Sequence, residues 1–115
     1  MTWELIVKRK FSSAHFLNNY KGKCENMHGH TFTIEINLKV EKLDKAGISV
    51  DFVEIKKYLD RLLPDHKVLN EMYDFSPSAE NLSKFFYYKI KKKYPQISKI
   101  TIWESEDAGC VYSEN

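Results

Sequence analysis

A chain of 115 residues with a net charge of +2 can build one modest core, and its interspersed acids and bases argue against a nucleic-acid binder, which needs a concentrated basic surface. No apolar run approaches the roughly 20 residues that span a bilayer, so no membrane segment is expected. The start, Met1-Thr2-Trp3-Glu4-Leu5, lacks a basic segment followed by a long apolar core, and the two cysteines, Cys24 and Cys110, form no Cys-x-x-Cys; neither a secretory leader nor a disulfide scaffold is expected, and a reducing cytoplasm is the natural compartment.

In chain order, Trp3 to Phe11 alternates, with Trp3, Leu5, Val7 and Phe11 on one parity and Ile6 interrupting the polar one. It reads as a half-buried strand. Ser12 to Lys23 reads as a polar connection. Thr31 to Val40 alternates almost without fault, with Phe32, Ile34, Ile36, Leu38 and Val40 facing one way. After a turn over Lys42 to Gly47, Ile48, Val50 and Phe52 continue as a shorter alternating strand, so a hairpin with one wet face is expected.

Asp51 followed by Glu54 resembles a capping box. Phe52, Ile55, Leu59, Leu62 and Leu63 then recur at helical spacing until Pro64. A second helix starts near Ser76-Pro77-Ser78, carries Leu82, Phe85, Phe86 and Ile90 as its stripe, and stops at Pro95. Tyr87, Tyr88 and Tyr94 widen that stripe for core packing or a subunit contact. Lys91-Lys92-Lys93 suits a solvated helix end, where cations meet the macrodipole. Ile97 to Glu104 reads as a strand and Gly109 to Tyr112 as a last short one. With no repeat and no long linker, residues 1–115 read as a single α+β domain, an antiparallel sheet covered by helices.

Cys24-Glu25-Asn26-Met27-His28-Gly29-His30 is the stretch richest in chemistry. In an extended chain, residues two apart point to the same side, so His28 and His30 can reach one metal. His15 can complete the three protein ligands of a catalytic zinc, or all three serve as hydrogen-bonded loop histidines. Cys24 lies among Lys21, Gly22 and Lys23, where cations favour the thiolate; base, fourth ligand and buried filler are its three readings. Asp65 beside His66 either orients the imidazole or merely follows Pro64 as a turn residue. Glu104 shares the parity of Ile100 and Ile102. An unbroken strand would point it to the apolar side, where a charge needs a partner such as an N–H donor edge, whereas a strand ending at Trp103 leaves it in solvent.

Phe11-Ser12-Ser13-Ala14-His15, the Cys-x3-His-Gly-His run from Cys24 to His30, Val50-Asp51-Phe52 with Lys56, Asp65-His66-Lys67-Val68-Leu69-Asn70, Pro77-Ser78-Ala79-Glu80-Asn81 and Ile102-Trp103-Glu104 occur in that order. Together they resemble the 6-pyruvoyltetrahydropterin synthase and 6-carboxytetrahydropterin synthase family over nearly the whole chain, with Ser78 where the family pattern has threonine. The resemblance implies a tunnelling fold, a four-stranded antiparallel sheet with two helices on one face, closing as a homo-oligomer (trimer or hexamer) into a barrel with active sites between subunits.

It also implies roles. His15, His28 and His30 would hold Zn2+, which would polarise the hydroxyls of a dihydropterin side chain and acidify the adjacent C–H. Cys24 would abstract a proton, Asp65 and His66 would form a second relay, and Glu104 would bind the pterin's 2-amino and N3–H edge. The implied substrate is 7,8-dihydroneopterin triphosphate. The product is 6-carboxy-5,6,7,8-tetrahydropterin in the queuosine (7-deazaguanine) branch, which a short chain retaining Cys24 most resembles. A 6-pyruvoyl product is an alternative. So is a 6-hydroxymethyl product for folate synthesis, in which Glu25 acts near the cysteine position; Glu25 as a solvated loop acid is equally open. A zinc- and pterin-binding module without catalysis is the alternative of another class.

Overall fold

The computed structural model describes residues 1–18 and 26–114. Two long strands, β1 (Trp3–His15) and β2 (His28–Val40), pair antiparallel along their whole length, Trp3 opposite Val40 and His15 opposite His28. Helix α1 (Phe52–Leu62), the two-residue strand β3 (Lys67–Val68), the single-turn helix α2 (Leu69–Met72), helix α3 (Ala79–Lys93) and strands β4 (Ile97–Trp103) and β5 (Gly109–Tyr112) follow. The sheet has five strands in the order β3-β1-β2-β4-β5. Four are antiparallel, as the family resemblance implies; the fifth, β3, adds to β1 in parallel at Ser13 and Ala14.

Because opposite residues of an antiparallel pair share a face, the register sorts the sheet into two surfaces. Val7, Phe11, Phe32, Ile34, Ile36, Leu38, Ile100 and Ile102 are buried on one of them. Ile55 and Leu59 of α1 and Leu82, Phe86 and Ile90 of α3 join the same buried cluster. Both long helices therefore cover that face. The opposite face carries Lys8, Lys10, Thr31, Thr33, Glu35 and Trp103, with Ile6 and Val111 exposed. Ile6, the residue that interrupts the polar parity, lies there because the pleat puts it there.

The helix boundaries follow the sequence signals. Asp51 caps α1 by accepting from the Val53 N–H at 2.9 Å, and Ser78 caps α3 by accepting from the Asn81 N–H at 3.1 Å. Lys91, Lys92 and Lys93 form the last turn of α3. Tyr87 and Tyr94 are buried, whereas Tyr88 is exposed and bonds the Tyr112 hydroxyl and Glu114.

Three expectations change. β1 runs on through Ser12 to His15 instead of entering a polar connection at Ser12. The strand expected over Ile48, Val50 and Phe52 does not form. There the Asp44 carboxylate accepts from the Ala46 and Ile48 N–H groups, Gly47 takes a positive φ of 81°, and the Asp51 cap already starts α1 at Phe52. Local turn and cap chemistry outweighs a three-residue alternation. Phe52 consequently stands exposed at the first turn, apart from the buried stripe.

Candidate active site

The apolar stripe of the sheet ends in histidines. Phe11 stacks on Phe32 with ring centroids 5.0 Å apart, and the Phe32 ring meets His15 and His30 at 5.5 Å each. The register that places Phe11 opposite Phe32 places Ser13 opposite His30 and His15 opposite His28. All three imidazoles thus continue the core face past its last phenylalanines. Their centroids lie 4.6 Å (His15–His28), 5.2 Å (His15–His30) and 4.8 Å (His28–His30) apart.

Main-chain carbonyls fix two of the rings. His15 donates from Nδ1 to the Pro77 carbonyl at 2.7 Å, and His28 donates from Nδ1 to the Asn26 carbonyl at 2.7 Å. A carbonyl only accepts, so each Nδ1 carries the proton and each Nε2 presents a lone pair. His15 is 1% exposed. Its Nε2, like His30 Nε2, is buried without a hydrogen-bond partner among the described residues. Burial pushes the His15 imidazole below its ordinary pKa, with the His28 ring adding to the effect against the Pro77 bond. Burial also lowers His30, opposed by Glu104. Neutral rings with buried, unsatisfied lone pairs are what a metal ligand requires.

β4 ends at Trp103, and a turn closed by the Glu104 N–H on the Ala108 carbonyl (3.0 Å) follows. Glu104 nonetheless does not point to solvent. Its Oε1 lies 3.1 Å from His30 Nε2. One ligand atom from each of His15, His28, His30 and Glu104 falls within 4.8 Å of every other. Three imidazole nitrogens and a carboxylate oxygen fit a four-coordinate divalent metal centre. Glu104 also lines a cleft of about 210 Å3 with Ala79, Glu80, Ala108, Gly109 and Cys110. Gly109 is required there, since a Cβ would sit 2.8 Å from the Trp103 ring and 2.9 Å from the Ile102 carbonyl. Gly29 has no such constraint: its Cβ would meet only the Ser13 carbonyl, at 3.8 Å.

Asp65 and His66 form a real pair. His66 Nδ1 lies 2.8 Å from one Asp65 oxygen, and the Ser12 N–H donates to the other at 2.8 Å. The Ser12 N–H, then His66, holds the Asp65 carboxyl below its usual range. His66 has a positive φ of 56°, uncommon for a side-chain-bearing residue, and its own N–H donates to the Ser12 carbonyl at 2.6 Å. The imidazole is largely exposed. His66 and His30 line one shallow depression with Ser12, Ser13, Gly29, Thr31 and Lys67. Cys24 and Glu25, together with Lys21 and Lys23, lie outside the described residues.

Several supporting residues carried no signal in the sequence beyond their place in a shared pattern. The Pro77 carbonyl orients His15. Asn70 clamps the Phe16 backbone, accepting its N–H at 2.9 Å and donating to its carbonyl at 3.0 Å, which holds the chain just after His15. Asn81 donates to the Ser76 carbonyl at 2.9 Å and steadies the loop that presents Pro77. Glu80, in the first turn of α3, shares the cleft with Glu104.

A family model described as 6-pyruvoyl tetrahydropterin synthase matches residues 4–115. The chain belongs to the 6-pyruvoyl tetrahydropterin synthase family. It is 31% identical to a dihydroneopterin monophosphate aldolase of Pyrococcus furiosus, covering 95% of this chain and 96% of that one. It is 30% identical to a 6-carboxy-5,6,7,8-tetrahydropterin synthase of Bacillus subtilis, covering 96% and 85%. Among solved structures, the 6-pyruvoyl tetrahydropterin synthase of Caenorhabditis elegans superposes with a TM-score of 0.87 at 25% identity, over 100% of this chain and 97% of that one. The fold and the enzyme family expected from the ordered motifs are therefore confirmed, and no helix among the described residues is long and apolar enough to cross a membrane.

Proposed function

We propose that the protein is a zinc-dependent lyase that converts 7,8-dihydroneopterin triphosphate to 6-carboxy-5,6,7,8-tetrahydropterin. The observation that carries this reading is the meeting of His15, His28, His30 and Glu104 at the end of the core stripe, with two buried imidazole nitrogens otherwise unsatisfied. His15, His28 and His30 would hold zinc, and the bound ion would acidify a C–H of the pterin side chain as a Lewis acid. Glu104 would take the N–H donor edge of the pterin ring in the adjoining cleft, where a charge-assisted pair is strong.

Asp65 and His66 serve as the proton relay in this reading. The Asp65 carboxylate, anchored by the Ser12 N–H, holds the proton of His66 on Nδ1 and leaves Nε2 to exchange a proton with substrate. The positive φ of His66 fits a residue held in place for a task. Cys24 is the proposed proton-abstracting base, with the Asp65–His66 pair as the second relay. The subunits close a trimeric barrel, doubled to a hexamer, whose sites take residues from neighbouring copies, in the cytoplasm of the cell.

Incubation of zinc-loaded protein with 7,8-dihydroneopterin triphosphate, with products identified by mass, tests the reading. Recovery of the substrate unchanged would leave a binding module. A second reading is side-chain cleavage to 6-hydroxymethyl-7,8-dihydropterin, favoured by the similarity to the Pyrococcus furiosus aldolase. It predicts a 6-hydroxymethyl product from the monophosphate or the triphosphate, lost in Glu25→Ala while any carboxy product survives.

A further inference from the structure

Helix α1 turns one charged side toward a cleft. Glu54, Lys57, Tyr58 and Arg61 recur three and four positions apart, so they share one side of the helix. With Lys93 and Tyr94 at the end of α3, they line a cleft of about 560 Å3. Gln96, also on its wall, accepts the Lys39 N–H on its carbonyl at 2.9 Å, which sets the cleft at the end of the sheet where Trp3 faces Val40. His28 opens the other end of β2, roughly 36 Å from Lys39 at about 3.3 Å per residue. A ligand of ordinary size in the cleft therefore does not reach the histidine cluster.

Lys57, Arg61 and Lys93 form no ion pair among the described residues. Arg61 and Lys93 each answer the partial negative charge of their own helix's last turn. Lys57 sits mid-helix without that partner, and one turn from Arg61, where like charges repel. An anion between the two removes the repulsion. Tyr94 is 7% exposed yet lines the cleft, and its hydroxyl has no hydrogen-bond partner among the described residues. Burial raises that hydroxyl above its ordinary pKa, with Glu54 and Tyr58 adding to the effect and Arg61 opposing it, so it stands among the α1 side chains of the cleft and keeps its proton to donate. Tyr58 meets the Tyr94 ring edge-on at 5.6 Å and donates its hydroxyl to the Lys89 carbonyl at 3.2 Å, which fixes its ring as a wall.

Three cations against one acid select an anion, and the guanidinium fork of Arg61 matches phosphate oxygens in pairs. A concave site of several hundred Å3 suits a small molecule. Glu54 repels a ligand that is anionic throughout, so it selects one whose other end carries hydroxyl or N–H donors. We propose that the cleft between α1 and the end of α3 binds a nucleoside phosphate, its phosphates on Lys57, Arg61, Lys93 and the Tyr94 hydroxyl and its sugar or base donors on Glu54. The site is separate from the proposed reaction and does not depend on it.

Calorimetric titration of the purified protein with ATP, GTP and inorganic triphosphate, at about 0.15 M salt to screen scattered surface charge, tests the site. At least one of the nucleotides is expected to bind once per chain, and more tightly than triphosphate. Lys57→Gln/Arg61→Gln is expected to weaken that binding at least about tenfold, and Tyr94→Phe about two- to tenfold. Lys8→Gln/Lys10→Gln makes the same change of charge on the helix-free face and is expected to leave it unaltered. Circular dichroism confirms that the variants fold. No nucleotide binding, or equal losses in the two double variants, overturns the site. Triphosphate bound as tightly as the nucleotides overturns the role of Glu54, and undiminished affinity in Tyr94→Phe overturns that of the hydroxyl. Binding that survives Lys57→Gln/Arg61→Gln but is lost in His15→Ala belongs to the histidine cluster and overturns the proposal as well.

Discussion

Asp65 shows how a residue's partners set its role. A turn residue would meet water, but Asp65 joins the Ser12 N–H to the His66 ring and so ties the chain after α1 to β1. Its lowered pKa belongs to the folded state alone, so the unfolded chain binds more protons over the window between the lowered value and the ordinary carboxylate value near 4. The resulting stability is fully present above that ordinary value and disappears as pH falls through the lowered one. Asp65→Asn should therefore lower the urea midpoint at pH 7 and converge with wild type in acid. Equal differences at both pH values would remove the carboxylate from the account. Under the proposed function the same variant also loses most turnover at pH 7, with zinc content unchanged.

The histidines divide what was legible from what was not. The spacing of His28 and His30, read through the period of a strand, placed both on one side of β2, as the structure has them. The third corner came from the ordered motifs, since nothing local to His15 tells a ligand from a loop residue; its decisive partner is the carbonyl of Pro77, sixty-two positions away. Glu104 defied both outcomes offered by parity: the strand does end before it, yet its side chain turns inward. If the cluster binds zinc, free metal at about 100 times its dissociation constant should stabilise the wild-type protein by about 2.7 kcal/mol. Thermal melts with and without zinc should show that gain, and His15→Ala should lose most of it.

At the scale of elements, the site is the far end of the packing. Phe32 is fully buried, stacks on Phe11 and supports the rings of His15 and His30. Phe32→Ala should cost about 3–5 kcal/mol in chemical denaturation, and should weaken metal binding more than a truncation distant from the cluster, such as Leu59→Ala. Ser78 links an element boundary to the site in another way. It caps α3 immediately after Pro77, so Ser78→Ala should cost about 1 kcal/mol and loosen the carbonyl that orients His15. Ser78→Thr retains the capping oxygen and should restore both stability and metal affinity. A loss of stability with metal affinity intact would confine Ser78 to its helix. The sequence showed these helices through their caps and stripes because such signals are local. It did not show β3, since two residues have no period, and it offered a strand over Ile48, Val50 and Phe52 because an alternation of three cannot register the competing Asp44 turn and Asp51 cap.

Among the described residues, no helix covers the second face of the sheet. Lys8, Lys10, Thr31, Thr33, Glu35 and Trp103 line that face, and Ile6 and Val111 are exposed on it. β5 forms one edge, and at the other β3 pairs with β1 only beside Ser13 and Ala14. Open edges invite pairing with another chain, and a head-to-tail contact that closes on itself makes a ring. Such a ring removes the edges and encloses the mixed polar face around a channel, with the helices outside. His66, exposed and conformationally strained beside the β3 edge, is then placed where a neighbouring copy can meet it. Native mass measurement should give three or six copies of the 13.6 kDa chain. A sharper test mixes two inactive variants, His15→Ala and Asp65→Asn, after reversible dissociation. If one copy supplies the metal ligands and its neighbour the relay, random reassembly rebuilds about one quarter of the sites, and turnover returns to that fraction of wild type. If each site is contained within one copy, no mixed ring holds a complete site and the mixture stays inactive. The two arrangements use the same residues and the same chemistry, so only recovery on mixing separates a site built at the subunit boundary from one built inside it.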